Sequence, residues 1–263
     1  VTTNATNITT ASAMSSPQVD VRPASQRFTT DFGWLDSKHS FSFGHHRDRS
    51  NIHHGLLLVS NEDKVAANTG FETHPHRDME IVTWVLEGSL VHKDSEGNTG
   101  ILTPNLAQRM SAGTGILHSE KNDSWTVHGQ SHDRPVHFVQ MWVIPDTSGI
   151  TPGYEQLELD PAELAGKWGV VASGMERHAN DSAIKIRNRY AAFHVARLQA
   201  GDTVTLPEAP YLHVFMPYGL ADLEGHGMMS AGDAVRFTAS GGHRITAYEP
   251  AELLLWEMHA TVG

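Results

Sequence analysis

Short runs of apolar residues recur along this chain, separated by polar stretches that carry Gly, Pro, Asn or Asp. Gly55–Val59, Ile81–Leu86, His137–Ile144, Tyr190–Leu198, Tyr211–Met216, Ala234–Thr238 and Leu253–Met258 are rich in Val, Ile, Leu, Phe and Trp. Their lengths and residue types predict strands of a sandwich or barrel. Glu96-Gly97-Asn98 and Ala231-Gly232-Asp233 read as the turns of hairpins. The best helix candidate is a single short turn. Asp160 caps it, Pro161 starts it and Gly166 stops it.

The pattern weakens between Pro145 and about Arg187, where Asp146–Gly153 reads as an extended loop and Ala172–Ala183 is polar. Strand-like runs resume at Ile184. Gly113-Thr114-Gly115 before one strand and Ala231-Gly232-Asp233 before another form a weak internal echo. Two tandem β-barrels are the expectation, against one large sandwich as the alternative. The expected boundaries are a disordered tail over 1–20, a first barrel over 21–150, a linker over 151–183 and a second barrel over 184–263. The Thr/Asn/Ala-rich start has neither a basic beginning nor a hydrophobic centre, so it does not read as a secretory signal, and Met14 is a candidate start.

Composition narrows the chemistry. With no cysteine among 263 residues, thiolate metal sites, disulfides and thiol nucleophiles are ruled out, so a metal here is held by nitrogen and oxygen. The net charge of −11, without a Lys/Arg block, argues against direct binding of nucleic acid or of an anionic membrane. No apolar run approaches the roughly 20 residues that span a bilayer. A cytoplasmic protein is expected.

Against this background two segments stand out, Thr73-His74-Pro75-His76 and Leu117-His118-Ser119-Glu120. Each places two metal-binding side chains at i and i+2, which project to one side of a strand. Two such strands facing each other inside a barrel bring three imidazoles and a carboxylate to one point. Glu80 is a rival for the fourth place: its parity matches His74 and His76, as that of Glu120 matches His118. Three nitrogens and one oxygen suit Fe(II), Mn(II), Co(II), Ni(II), Cu(II) or Zn(II).

Other candidates carry blander readings. His45-His46 and His53-His54, beside Arg47, Asp48 and Arg49, are read as solvated or capping loop residues, with the mouth of the first barrel as the functional alternative. His92, His128, His132 and His137 are read as structural. Trp84, Phe138, Met141 and Trp142 are read as barrel core, or else as an apolar wall for a flat ligand. His213, His226, His243 and His259 occur singly, so no metal is expected in the second barrel. Gly113-Thr114-Gly115 reads as a tight turn rather than a phosphate loop. No hydrolase elbow or dinucleotide fingerprint occurs.

The HxH with its trailing Glu, followed by Gly-x-Gly-x-x-His, resembles the two motifs of the cupin superfamily. The segments Thr73–Glu80, Val85–Gly88, Met110–Glu120 and Gly149–Pro152 resemble more closely the pirin family, in its bacterial branch associated with quercetin 2,3-dioxygenase activity. The match is good from Arg22 to Asp160 and looser from Ile184 onward. The resemblance implies an all-β bicupin of two jelly-roll-like barrels with one metal centre in the first. It implies His74, His76, His118 and Glu120 as ligands, Glu80 then orienting an imidazole, and it tips the metal towards Fe(II). It also implies a dioxygenase that opens the ring of a flavonol-like aromatic substrate with O2 and releases carbon monoxide, with a nearby carboxylate, Glu120 or alternatively Glu80, accepting the substrate's proton. A non-enzymatic regulator that binds a protein partner is the alternative from a different class, and another metal-dependent cupin activity, such as an isomerase, is a third.

Overall fold

The computed structural model describes residues 7–10, 16–124 and 132–263; Met14 and His128 lie outside them. Within them the expected strands pair into two barrels of matching topology. The large sheet of the first runs Gly153–Glu158, Leu106–Ser111, Glu80–Glu87, Val136–Val143, Leu57–Val65, Leu35–His39, Phe28–Asp31. That of the second runs Ile184–Lys185, Gly169–Ser173, Ala191–Leu198, Ala251–Met258, Tyr211–Tyr218, Ala234–Thr238, Gln18–Arg22. Each barrel is completed by a four-stranded sheet. These run Gly70–His76, Ile116–Lys121, Leu90–Asp94, Thr99–Leu102 and Thr203–Thr205, Arg244–Ala247, Leu220–Leu223, Gly227–Ser230. The predicted turn at Asp160 is a short 3-10 helix over Pro161–Glu163, and Asp160 accepts the backbone N–H of Ala162 at 2.9 Å.

Matched position by position, the sheet orders revise three expectations. Residues 1–20 contribute two strands: Ile8–Thr10 pairs with Ala260–Val262, and Gln18–Arg22 closes the large sheet of the second barrel. In Gln18-Val19-Asp20-Val21-Arg22 only Val19 packs against that barrel's core, so an edge strand with one buried contact looks like a polar tail. The 151–183 stretch supplies Gly153–Glu158 to the first barrel and Gly169–Ser173 to the second. The echo between Gly113–Gly115 and Ala231–Asp233 joins strands that are not equivalent. The counterpart of Ile116–Lys121 is Arg244–Ala247, which carries no histidine.

The alternation of side chains sorts each large sheet into two faces. Val82, Trp84, Val139 and Met141 of the first sheet pack against Phe193, Val195, Leu254 and Trp256 of the second, forming the seam between barrels. Two polar contacts orient it. The Trp84 indole N–H donates to Glu252 at 2.7 Å, and the Trp256 indole N–H points at the Met141 sulfur at 3.1 Å. The opposite faces fill the barrels: Leu35, Val65, Val85, Val136 and Phe138 in the first, Leu198, Leu212, Val214, Phe237 and Leu255 in the second. Trp84, Phe138 and Met141 are therefore core, as expected. Among the described residues no helix is long and apolar enough to cross a membrane.

Candidate metal centre

Gly70–His76 and Ile116–Lys121 are antiparallel neighbours, with His118 opposite His74 and Ile116 opposite His76. Period-two projection then gathers the three imidazoles on one face. Their ring centroids stand 4.4 Å (His74–His118), 4.9 Å (His74–His76) and 4.9 Å (His76–His118) apart, and the candidate ligand nitrogens all lie within 4.8 Å of one another. The turn that delivers His118 is built from glycine for a reason. Gly113 has φ +49°, and a Cβ there would stand 2.2 Å from the Ile150 carbonyl oxygen. Asp78 ties these segments together. Its N–H donates to the Gly113 carbonyl at 2.9 Å, and its carboxylate accepts the Gly149 N–H at 2.6 Å.

Hydrogen bonding leaves the inward nitrogens free. His74 Nδ1–H donates to the Glu72 carbonyl at 2.7 Å, which turns its Nε2 lone pair towards the other rings. His76 Nε2 and His118 Nε2 are buried and have no hydrogen-bond partner. Burial, reinforced by the neighbouring histidines, lowers the pKa of His76 to about 4 and that of His118 to about 3. Both imidazoles are neutral at pH 7, the form that binds a metal. Buried polar atoms are ordinarily paired. Three clustered rings, two of them neutral with orphaned nitrogens, fit a divalent transition ion.

The carboxylate and a fourth histidine form an adjoining group. His92, His118 and Glu120 also place candidate ligand atoms within 4.8 Å of one another, so His118 belongs to both groups. His92 Nδ1 meets His118 Nδ1 at 3.4 Å, while its Nε2 reaches Asp94 at 3.2 Å. His92 and Asp94 stand opposite Glu120 and His118 on the neighbouring strand. His92, read from the sequence as structural, thus adjoins the imidazole cluster through His118. The signal was present in the sequence, because His92-x-Asp94 has the same i, i+2 spacing. Glu120 is 2% exposed, and both of its oxygens accept the Gln140 Nε2 amide.

Glu80 lies elsewhere. It shares the face of Val82 and Trp84 that looks into the seam, where it accepts the Ser111 hydroxyl and the Arg187 backbone N–H, each at 2.9 Å. Parity with His76 does not carry across to it, because Asp78 at φ +46° interrupts the strand geometry between them. Glu80 is in neither ligand group, and its hydrogen bonds go to the seam rather than to an imidazole.

His74, His76 and Glu120 line a cavity of about 320 Å³. Trp142 stands edge-on to His76, centroids 4.8 Å apart, and Phe43 packs edge-on to Trp142 at 5.5 Å. Of the four aromatic and Met candidates, Trp142 alone lines the cavity. His45 lines its mouth, whereas His46 stacks on Phe28 and approaches Thr30. His53 and His54 meet the backbone carbonyls of Gly55 and Phe237. His137 pairs with Glu62 at 2.9 Å. Gln140, Asn61 and Asp63 were not anticipated as cavity residues.

In the second barrel, His194 and His259 both bond Glu257, at 3.2 and 2.7 Å, and Arg177 pairs with the same carboxylate. Glu257 faces inward with Leu253 and Leu255, and no other residue there joins it in a group of metal-ligand geometry among the described residues.

The Pirin family model matches residues 20–143. A Mycobacterium tuberculosis protein with a provisional quercetin 2,3-dioxygenase name is 55% identical over 245 residues, covering 93% of this chain and 97% of its own. Escherichia coli K12 quercetin 2,3-dioxygenase is 40% identical over 184 residues, 70% of this chain and 74% of its own. The crystal structure of the Escherichia coli bacterial pirin YhhW in complex with nickel(II) superposes with a TM-score of 0.80 at 31% identity, covering 92% of this chain and 99% of that one.

Proposed function

The chain belongs to the pirin family and has its bicupin fold, and on that premise we propose that it is a metal-dependent dioxygenase acting on a hydroxylated, flavonol-like aromatic substrate. The observation that carries this reading is the cluster of three imidazoles, two of them neutral with orphaned nitrogens, beside a cavity that His74 and His76 line together with Trp142, Phe43 and Phe71. His74, His76, His118 and Glu120 would hold one ion, with Fe(II) the favoured choice. Nickel in the related bacterial pirin shows that such a fold accepts a divalent transition metal.

When bound, such an ion acts as a Lewis acid on a substrate hydroxyl and connects an electron-rich ring to dioxygen. The protein's own contribution is placement and proton handling. Trp142, Phe43 and Phe71 offer flat apolar surface that orients a planar ring system beside the imidazoles. Glu120, held through both oxygens by Gln140, is the carboxylate positioned to take the hydroxyl proton as the substrate binds. In the quercetinase-type outcome the ring opens, carbon monoxide leaves, and the oxygen atoms of O2 enter the products.

The test follows quercetin loss with and without oxygen for the metal-loaded wild type, His76→Ala and Glu120→Gln. Oxygen-dependent loss that disappears in His76→Ala and drops at least about ten-fold in Glu120→Gln supports the proposal. A fully metallated wild type that consumes no quercetin would favour another substrate, or a regulator whose metal is structural or redox-sensing.

A further inference from the structure

Opposite the imidazoles, the cavity is lined by Leu35–His39 and Leu57–Val65, and this wall is polar. Ser37, His39, Asn61 and Asp63 face the space, interleaved with Leu35. Asn61 stands opposite Gln140 on the neighbouring strand, and Asp63 opposite Phe138, one inward position nearer the apolar floor. Asp63 is only 5% exposed, yet its Oδ1 accepts no hydrogen bond, and Asn61 Oδ1 is likewise buried and unpaired.

The basic side chains nearby are committed elsewhere. Arg27 and His137 both pair with Glu62, at 2.6 and 2.9 Å, on the opposite face of the strand. Gln140 has its amide N–H on Glu120 and its oxygen on the Trp142 indole, so it offers nothing to Asp63. Burial pushes the Asp63 carboxyl up to about 7, and the Glu120 charge adds to it, against the pull of Ser37 and Arg27. A buried acceptor left unpaired is costly. Something that enters the cavity and carries donors would relieve that cost.

We propose that Asp63, assisted by Asn61, forms the specificity subsite of the cavity, accepting hydrogen bonds from ring hydroxyls of a polyhydroxylated aromatic ligand whose chelating end lies at the imidazoles. This rests on the dioxygenase reading for the substrate class but concerns recognition alone. The two ends of the ligand then have different tasks. One end is an acidic oxygen for the metal wall, and the other is one or more O–H donors for the acceptor wall. Phe43, Phe71 and Trp142 hold the flat part between them.

The subsite is tested by anaerobic binding titrations on the zinc-loaded protein, which measure recognition without turnover. The two probes are quercetin, with hydroxyls on both outer rings, and 3-hydroxyflavone, which keeps the chelating end and lacks the others. Wild type is expected to bind quercetin about ten-fold more tightly. Asp63→Leu is expected to bring quercetin to the level of 3-hydroxyflavone while leaving the latter unweakened. Asp63→Asn, nearly isosteric and retaining one acceptor, is expected to lower the ratio about three-fold, since the bond to the charged form is the stronger. Zinc content and thermal midpoint identify any variant that fails to fold, and Asp63→Asn then carries the test. An unchanged ratio in folded variants, or a wild type without preference or without affinity for either probe, would overturn the subsite. Loss of oxygen-dependent turnover with the binding ratio intact would overturn the dioxygenase reading and leave the subsite standing.

Discussion

Gln140 donates its side-chain amide to both carboxylate oxygens of Glu120 at 2.8 Å, while its own oxygen accepts the Trp142 indole N–H at 3.0 Å. One neutral side chain thereby fixes the carboxylate beside the imidazoles and an aromatic wall of the cavity. Its cross-strand neighbours are Asn61 on one side and Thr83 on the other, so it sits in the middle of the large sheet.

Replacing Gln140 should therefore affect metal and substrate together. Gln140→Leu is expected to weaken metal affinity about ten- to a hundred-fold, the usual effect of losing a group that orients a ligand. Competition with a chromophoric chelator measures it. Gln140→Glu should weaken it further at pH 7, because a second carboxylate would then face Glu120.

Asp94 and His92 support His118 from the other side. Asp94→Asn and His92→Phe are each expected to reduce metal affinity by a similar ten- to hundred-fold, with the folded structure kept. The electronic spectrum of the cobalt-loaded protein should shift in both variants if His118 loses its orientation. Identical spectra and affinities would show that His92 and Asp94 do not act on His118.

The seam between barrels makes the apoprotein sensitive to acid. Burial first, then the Arg236 charge, depresses His213 well below 6.5 and lowers His54 to about 4. Between about pH 6.5 and 4 the unfolded chain binds protons at these residues that the folded chain does not. Stability is therefore full above that window and falls as the pH drops through it. Raised carboxyls such as Asp63 contribute with the opposite sign, so the comparison is best made by difference. His213→Leu should flatten the decline by at least about 1 kcal/mol between pH 6.5 and 4.5, measured by denaturant unfolding at several pH values. An unchanged slope would contradict this.

The gathering of His74, His76 and His118 was legible because strands repeat with period two and the spacing itself encodes the geometry, whereas Glu120 groups with His118 and His92 and not with His74 or His76. His92 and Asp94 used the same spacing, but one histidine paired with an aspartate did not stand out among 18 histidines. Glu80 misled for a local reason, since one residue at positive φ separates its strand from that of His76. Ser60-Asn61-Glu62-Asp63-Lys64 was the hardest to read. The apolar pattern stops at Val59, yet the strand runs on to Val65. Both faces of that strand are buried and both are polar, one looking into the cavity and the other holding Arg27 and His137 through Glu62. A run with polar residues on both faces imitates a loop. Its partners come from distant strands, so only the folded chain shows where it lies.

Gas stoichiometry is the most direct measurement. Oxygen uptake and carbon monoxide release are followed per quercetin consumed, for the Fe(II)-loaded wild type and for His118→Ala at matched protein concentration. The expected result is one O2 taken up and one carbon monoxide released per quercetin in the wild type, with neither above background in the variant. Quercetin loss without oxygen uptake, or equal turnover in a variant that holds no metal, would contradict a dioxygenase centred on His74, His76, His118 and Glu120.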